Sequence, residues 1–517
     1  MQNDSLSYKT LKNVSYSFFG FAFPIVLSII TTRAIINNLG PVDYGVYLLV
    51  GTITGFMGLL DLGVTTALVK DIAEYHAKQN LPAIQKTIDS AFSLYLAVGL
   101  LGLLIYFILG KYFLAIFHIS HQSQGNIFLV FLLSGIIFFI RSVNSIYTAI
   151  PQAMQRFDIS TKINLAQLTF FSLATLAAVL AGYKLKVILS LNLISFLGLV
   201  IAYRIYALKL LPGFRVGIGL NFGEIKKLYK FGLFAALASI ANSSLDQLDR
   251  LIIPIFLGPA ALSYYSVPGN VSQKTNTIVG SMGGIFFPLA SSLQGLGDQE
   301  KLKLVYKKIM RNLTVAAAGI TSAIMCFGYQ IIFYWLGKSG KEFADKGFVV
   351  LLILAVTYFI LSLYGFITNF VLGLGKVKFM ALWAFILAIV NVVLLLWLMP
   401  RFGIVGAAYA YLGGVLPIIG MVYWLEKKYL LIQDTGIFYL KLYAKIFITS
   451  LLFFFLSKFI LLKLVFSLIS LLIVGPVSVL LYFIIYKFLG FFDQEDWDLF
   501  ELFFSQVLLK LRLTKPQ

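Results

Sequence analysis

The chain has 517 residues, of which 60% are hydrophobic and only 12% charged, with a mean hydropathy of +0.92. A soluble domain is about half apolar and about a quarter charged, so the usual polar surface is missing and lipid must replace water around it. The net charge of +20 would point to nucleic acid in a soluble chain, but the loops account for it and no nucleic-acid partner is expected; the single cysteine, Cys326, excludes an internal disulfide and leaves a cysteine metal site without a second thiolate.

Crossing the hydrocarbon takes about 20 apolar residues, and only helices satisfy their own backbone there. In chain order the expected spans are 14–36, 45–68, 91–110, 126–147, 164–182, 186–207, 231–257, 264–290, 312–335, 347–372, 379–399, 403–425, 440–462 and 464–487. The first run is long enough to stay as a helix, and no small-residue cleavage site marks it as a secretory signal. His118 and His121 stand three apart near the start of a loop and read as solvated residues rather than a metal pair. The eighth span is the most polar, with Asn270, Ser272, Gln273, Lys274 and Asn276 in one stretch.

Alternate loops differ sharply in charge. Of the 41 Lys and Arg, 28 fall on the side of the N-terminus, 9 on the other side, and four lie inside spans. This bias predicts cytoplasmic termini, and an even number of spans agrees. Leu39-Gly40-Pro41, followed by Gly45 and Tyr47, returns as Leu257-Gly258-Pro259, followed by Ser263 and Tyr265. Both segments fall between the first and second spans of a six-span block. The expected organisation is therefore an N-lobe (1–207), a cytoplasmic linker (208–230), a C-lobe (231–425), two further helices (426–490) and an amphipathic cytoplasmic tail (491–517).

The four intramembrane bases are Arg33, Arg141, Arg250 and Lys274. Charge at that depth is costly and usually faces a partner or a wet cavity. Arg33, near a span end, could also snorkel to the headgroups. Asn270, Gln273 and Asn276 extend the polar wall around Lys274. Asp246 and Arg250 are four apart and can pair on one helix face, which leaves Asp249 as a candidate cation or proton site with Asn391 as a second ligand. Asp61 either pairs with a basic residue or caps a broken helix. No nucleophile, metal cluster or phosphate-cradling loop stands out, so no enzyme activity and no cofactor are expected.

Three stretches resemble a known family. Leu39-Gly40-Pro41-Val42-Asp43-Tyr44-Gly45-Val46-Tyr47 is similar to the signature after the first helix of polysaccharide-export flippases. The run from Leu59 to Lys70 resembles their second helix, and Pro400 to Ala408 the motif before their twelfth. The family is the Wzx-type oligosaccharide flippases of the multidrug/oligosaccharidyl-lipid/polysaccharide exporter superfamily. The resemblance implies an all-α membrane fold of about 14 helices, two six-helix lobes forming a V plus two C-terminal helices. It implies alternating access that carries a polyprenyl-pyrophosphate-linked oligosaccharide between leaflets for O-antigen, capsule or exopolysaccharide assembly. Coupling to Na+ or H+ or to the membrane potential, and contact with other polysaccharide-assembly proteins, would follow.

A pyrophosphate needs fixed positive charge in place of its hydration, which makes Arg33, Arg141, Arg250 and Lys274 the expected anion-cavity residues. Asp61, Asn270, Gln273 and Asn276 are the expected polar lining, and Asp246, Asp249 and Asn391 the candidate ion-coupling set. Two departures weigh against a lipid II flippase. Span two has no deep basic residue, and Leu395 stands where those relatives place a sodium-site carboxylate. A drug antiporter of the same superfamily would favour acidic or neutral cavity walls, and a glycan polymerase would need a long catalytic loop, which is absent. A non-transporting scaffold would not need the polar eighth span.

Overall fold

The computed structural model describes residues 2–61, 63–117, 124–219, 221–226, 247–280 and 286–491. Asp246, the His118–His121 loop and the expected amphipathic tail beyond Phe491 lie outside these residues. The described chain is helical nearly throughout, because long apolar runs in lipid must close their hydrogen bonds within the segment.

The first half runs as α1 (Gln2–Met57), a 3-10 turn (Gly58–Asp61), α2 (Val64–Ala77), α3 (Leu81–Phe117), α4 (Gln124–Ala153), α5 (Phe157–Leu180) and α6 (Leu185–Leu210). A helix α7 covers 247–257 among the described residues, and α8 (Pro259–Ser272), α9 (Lys274–Gly280) and α10 (Phe286–Gly295) follow. The remainder is α11 (Gln299–Leu336), a 3-10 turn (Gly337–Ser339), α12 (Gly340–Gly373), α13 (Val377–Val415), α14 (Pro417–Lys428), α15 (Thr435–Phe459), a 3-10 turn (Leu461–Leu464) and α16 (Leu468–Phe488).

Among the described residues, nine helical stretches are long and apolar enough to cross a membrane. Some are composites. Residues Gln299–Gly373 contain the ninth and tenth expected spans, and Lys378–Lys428 the eleventh and twelfth. In α1 the backbone breaks at Gly40 (φ 75°), and in α13 at Gly403 (φ 59°), so each holds two helices in series.

The apolar surface left uncovered is large. In the most apolar windows of α15 and α16 only 22% of residues are buried, and Phe447, Ile469 and Leu472 stand outward. Water does not tolerate apolar faces of that extent, whereas hydrocarbon does. The protein is a multi-pass membrane protein of all-α fold.

The chain forms two compact units. One comprises Met1–Tyr264 with Leu336–Ser339, the other Tyr265–Trp335 with Gly340–Gln517. In the first unit, α3 and α4 pack through small residues set against rings. Gly102 lies against Phe138, and Gly135 against Tyr106. The Phe113 and Phe131 rings meet at 4.7 Å. Close backbone approach replaces the hydrophobic drive that lipid cancels. The second unit is filled by aromatics. Tyr306, Phe366 and Phe370 cluster at 5.1–5.8 Å, and Phe453 meets Tyr482 at 5.7 Å.

Two polar fastenings hold irregular backbone in the first unit. In one, the repeated Leu-Gly-Pro segments touch each other. Gly40 (φ 75°) and Gly258 (φ 79°) both adopt the left-handed conformation that only glycine takes without strain. Four residues beyond each proline the chain meets the other proline's carbonyl: Ser263 Oγ donates to Pro41 O at 2.6 Å, and Gly45 lies so close to Pro259 O that a Cβ would collide with it. The other is a clamp on the segment after α6. Arg215 N donates to Gln85 Oε1 at 3.0 Å, Gly217 N to Asp89 Oδ1 at 2.8 Å and Gly219 N to Ser93 Oγ at 3.0 Å. Three residues spaced by four on α3 thus satisfy alternate backbone amides of the segment after α6.

Candidate functional site

Within the first unit a cavity of about 190 Å³ opens among α1, the 3-10 turn, α2, α3 and α4. Its polar wall includes Thr54, Asp61, Thr65, Tyr95, Arg141 and Ser145. The helix break makes this wall. Gly58 and Gly63 bracket Leu-Leu-Asp-Leu, the chain tightens into a 3-10 turn over Gly58–Asp61, and Gly63 (φ 75°) redirects it into α2. Irregular backbone at membrane depth is tolerated where it lines a cavity.

Asp61 caps the new helix. Its Oδ1 accepts from Thr65 N at 3.2 Å, from Thr65 Oγ1 at 3.2 Å and from Tyr95 OH at 2.6 Å, while Oδ2 takes only the shared Thr65 N at 3.3 Å. Of the two roles expected for Asp61, the structure has the cap. The second, pairing with a base, is not seen among the described residues: Arg141 lines the same cavity, yet no ion pair joins the two side chains.

Arg141 is exposed, and its guanidinium lies 5.4 Å from the centre of the Phe196 ring, a cation–π arrangement. No hydrogen bond to a described residue uses its five N–H donors, so they remain for a ligand. Tyr106, buried behind this wall, is held by Thr54 at 2.5 Å and by Val50 O at 3.1 Å.

The other expected site residues are divided between the two units. Arg33 is half-buried and its guanidinium lies over Gly337, at the C-terminal end of a helix. There Asn37 Nδ2 donates to Leu336 O at 2.8 Å, and Ser339 N to Asn37 Oδ1 at 3.2 Å. A cation at that end also meets the negative pole of the helix. Asp249 is buried and accepts from Arg250 N at 2.8 Å; Arg250 is half-buried beside it. Lys274 opens α9 and is exposed, after half-buried Asn270 and Gln273 and before half-buried Asn276. These four belong to the second unit, as does Asn391, which is buried and packs tightly against Gly414. Arg141 and Asp61 are two expected residues that line one cavity together.

Sequence reading missed Thr54, Thr65, Tyr95 and Ser145. Thr65 was within reach of it, four residues after Asp61. The second unit holds a further cavity of about 420 Å³ with almost wholly apolar walls, including Phe359, Ile360, Ile418 and Val422. Nearby, Tyr439 OH donates to buried Glu426 Oε1 at 2.6 Å.

Residues 38–345, more than half of the chain, match the family described as "Polysaccharide biosynthesis protein". The chain belongs to the polysaccharide biosynthesis protein family. Among relatives of this member, the Shigella flexneri "Putative O-antigen transporter" is 23% identical over 428 residues, covering 81% of this chain and 98% of its own. The "Uncharacterized membrane protein EpsK" of Bacillus subtilis is 22% identical over 392 residues, covering 74% and 75%. In fold the family member is similar to "Lipid II flippase MurJ, inward closed conformation", with TM-score 0.69 at 13% identity, covering 92% of this chain and 99% of that one. It is similar too to the inward-facing conformation of a "multidrug resistance MATE family transporter of the MOP superfamily", with TM-score 0.65 at 13% identity, covering 79% and 97%.

Proposed function

We propose that this polysaccharide biosynthesis protein is a flippase. It carries a polyprenyl-pyrophosphate-linked oligosaccharide from the inner to the outer leaflet of the cytoplasmic membrane by alternating access, without catalysing a covalent step. The observation that carries the reading is Arg141, a guanidinium with no hydrogen bond or ion pair among the described residues, in a polar cavity built on a broken membrane helix. A guanidinium in lipid is costly, and an anionic ligand offsets that cost by meeting its planar fork in a bidentate way. Arg33, Arg250 and Lys274 add positive charge for the pyrophosphate, and Asn270, Gln273 and Asn276 add polar lining. The apolar cavity of the second unit has walls suited to an isoprenoid chain.

The family match and the name of the Shigella relative support a polysaccharide substrate. The lobes are taken as 1–207 and 231–425, in a chain of fourteen crossings with both termini cytoplasmic. Asp246, Asp249 and Asn391 remain the proposed ion-coupling set for Na+ or H+, and other polysaccharide-assembly proteins the proposed partners.

The test is reconstitution. The purified chain in liposomes should move a fluorescent polyprenyl-pyrophosphate oligosaccharide between leaflets, and Arg141→Ala should slow it at least about tenfold, since hydrogen bonds to charged groups contribute about 1.5–3 kcal/mol. No movement by the wild type would end the proposal. A drug antiporter is the second reading, favoured by the fold shared with the MATE transporter. It predicts efflux of cationic dyes that Arg141→Ala does not impair.

A further inference from the structure

We infer that the cavity in the first unit is a sugar subsite. Asp61 accepts hydroxyl hydrogen bonds from the first sugar of the substrate, next to the Arg141 that faces its phosphate. This rests on the flippase reading and adds to it the part of the substrate that lies here.

The argument starts from a mismatch of charge. A site built for phosphate alone would not include a carboxylate, because two anions in a low-dielectric wall repel. A site built for a cation would not include Arg141, for the mirror reason. Asp61 and Arg141 do not cancel each other through an ion pair, although both line the cavity. The ligand that suits both is a neutral polyol joined to an anion, which is what a glycosyl phosphate is.

Acceptor counting agrees. Three donors converge on Asp61 Oδ1, whereas Oδ2 holds only a shared N–H at 3.3 Å. A carboxylate has about four acceptor positions, so those left on Oδ2 are open to hydroxyl donors. Thr65 and Tyr95 fix the carboxylate in place, which a sugar-reading group needs and a merely solvated one does not. Met57, Val98 and Phe138 complete the wall with apolar surface for the C–H faces of a ring. At about 190 Å³ the cavity is below the roughly 300–1,000 Å³ of pockets for drug-sized ligands, so it admits one ring and leaves the rest of the glycan outside.

Two measurements test this. In the first, wild-type liposomes are given undecaprenyl pyrophosphate bearing one glucose, galactose or N-acetylglucosamine, or bearing no sugar. Asp61→Asn should slow at least one glycosylated lipid about tenfold and leave the bare lipid within about twofold, whereas Arg141→Ala should slow both. Equal slowing of all lipids by Asp61→Asn, or no slowing, overturns the subsite while leaving the flippase reading intact. A wild type that moves no lipid overturns the flippase reading itself, and the subsite with it.

The second measurement needs no variant to fold. The wild type in detergent should bind one of the three sugar 1-diphosphates about tenfold more tightly than inorganic pyrophosphate, read as ligand-induced thermal stabilisation. The absence of any preference overturns the inference.

Discussion

At the scale of residues, the cheapest test is a single methyl group. A Cβ at Gly45 collides with the carbonyl of Pro259, while at Gly51, less than two turns further along α1, it meets nothing within 4 Å. Overpacking costs about 1–3 kcal/mol, so Gly45→Ala should lower the melting temperature in detergent and Gly51→Ala should not. A second test concerns the buried Glu426. Glu426→Ala leaves the Tyr439 hydroxyl without its acceptor and should destabilise by about 1–3 kcal/mol, and Glu426→Gln, which keeps an acceptor oxygen, by less; chemical unfolding in mild detergent separates the two. The site was legible in the sequence where a residue type contradicted its surroundings. Asp61 and Arg141 stand out as charges in apolar runs, and an acid placed like Asp61 has to pair or to cap. Tyr95 does not stand out, because a tyrosine in a span is ordinary and its partner sits 34 positions earlier on another element. Sequence spacing carries no information about such cross-helix contacts.

At the scale of elements, the segment after α6 is held on α3 by side chains that both accept from its amides and donate to its carbonyls, Gln85 Nε2 to Arg215 O at 2.6 Å and Ser93 Oγ to Gly219 O at 3.2 Å, and by the buried Leu211 and Phe214. Asp89→Ala should release Gly217 N, and the exchange of amide hydrogens across 213–219 should then rise well above that of the wild type, with α3 itself unchanged. Most helices were legible because the length of an apolar run is set by bilayer thickness, which a sequence displays directly. Their interruptions were less so. The bend at Gly403 was marked by Pro400 and Arg401 between two expected spans, whereas the Gly58–Gly63 break was visible only as an acid flanked by glycines. The fastening of 211–219 was invisible for a different reason. Its partners, Gln85, Asp89 and Ser93, are polar residues at the start of a helix, where any surface helix carries them.

At the scale of the whole molecule, charge bias makes a prediction that no packing argument can. With 28 basic residues expected on one side and 9 on the other, a fluorescent protein fused at the C-terminus should fold and fluoresce in the cytoplasm, and alkaline phosphatase fused after Tyr183 should be active. The reverse pattern would invert the proposed direction of transport. The meeting of the Pro41 and Pro259 segments has a consequence of a historical kind. Under the proposed two-lobe repeat, the two segments began as identical copies that could stand in for one another. Here one copy carries serine and the other glycine at the matching position, the serine binding the opposite carbonyl and the glycine yielding to it. That division of labour cannot be run backwards. A chain assembled from two copies of either half would have two hydroxyl donors and no room for one of them, or two gaps and no bond, so the halves have become complementary parts that must be inherited together.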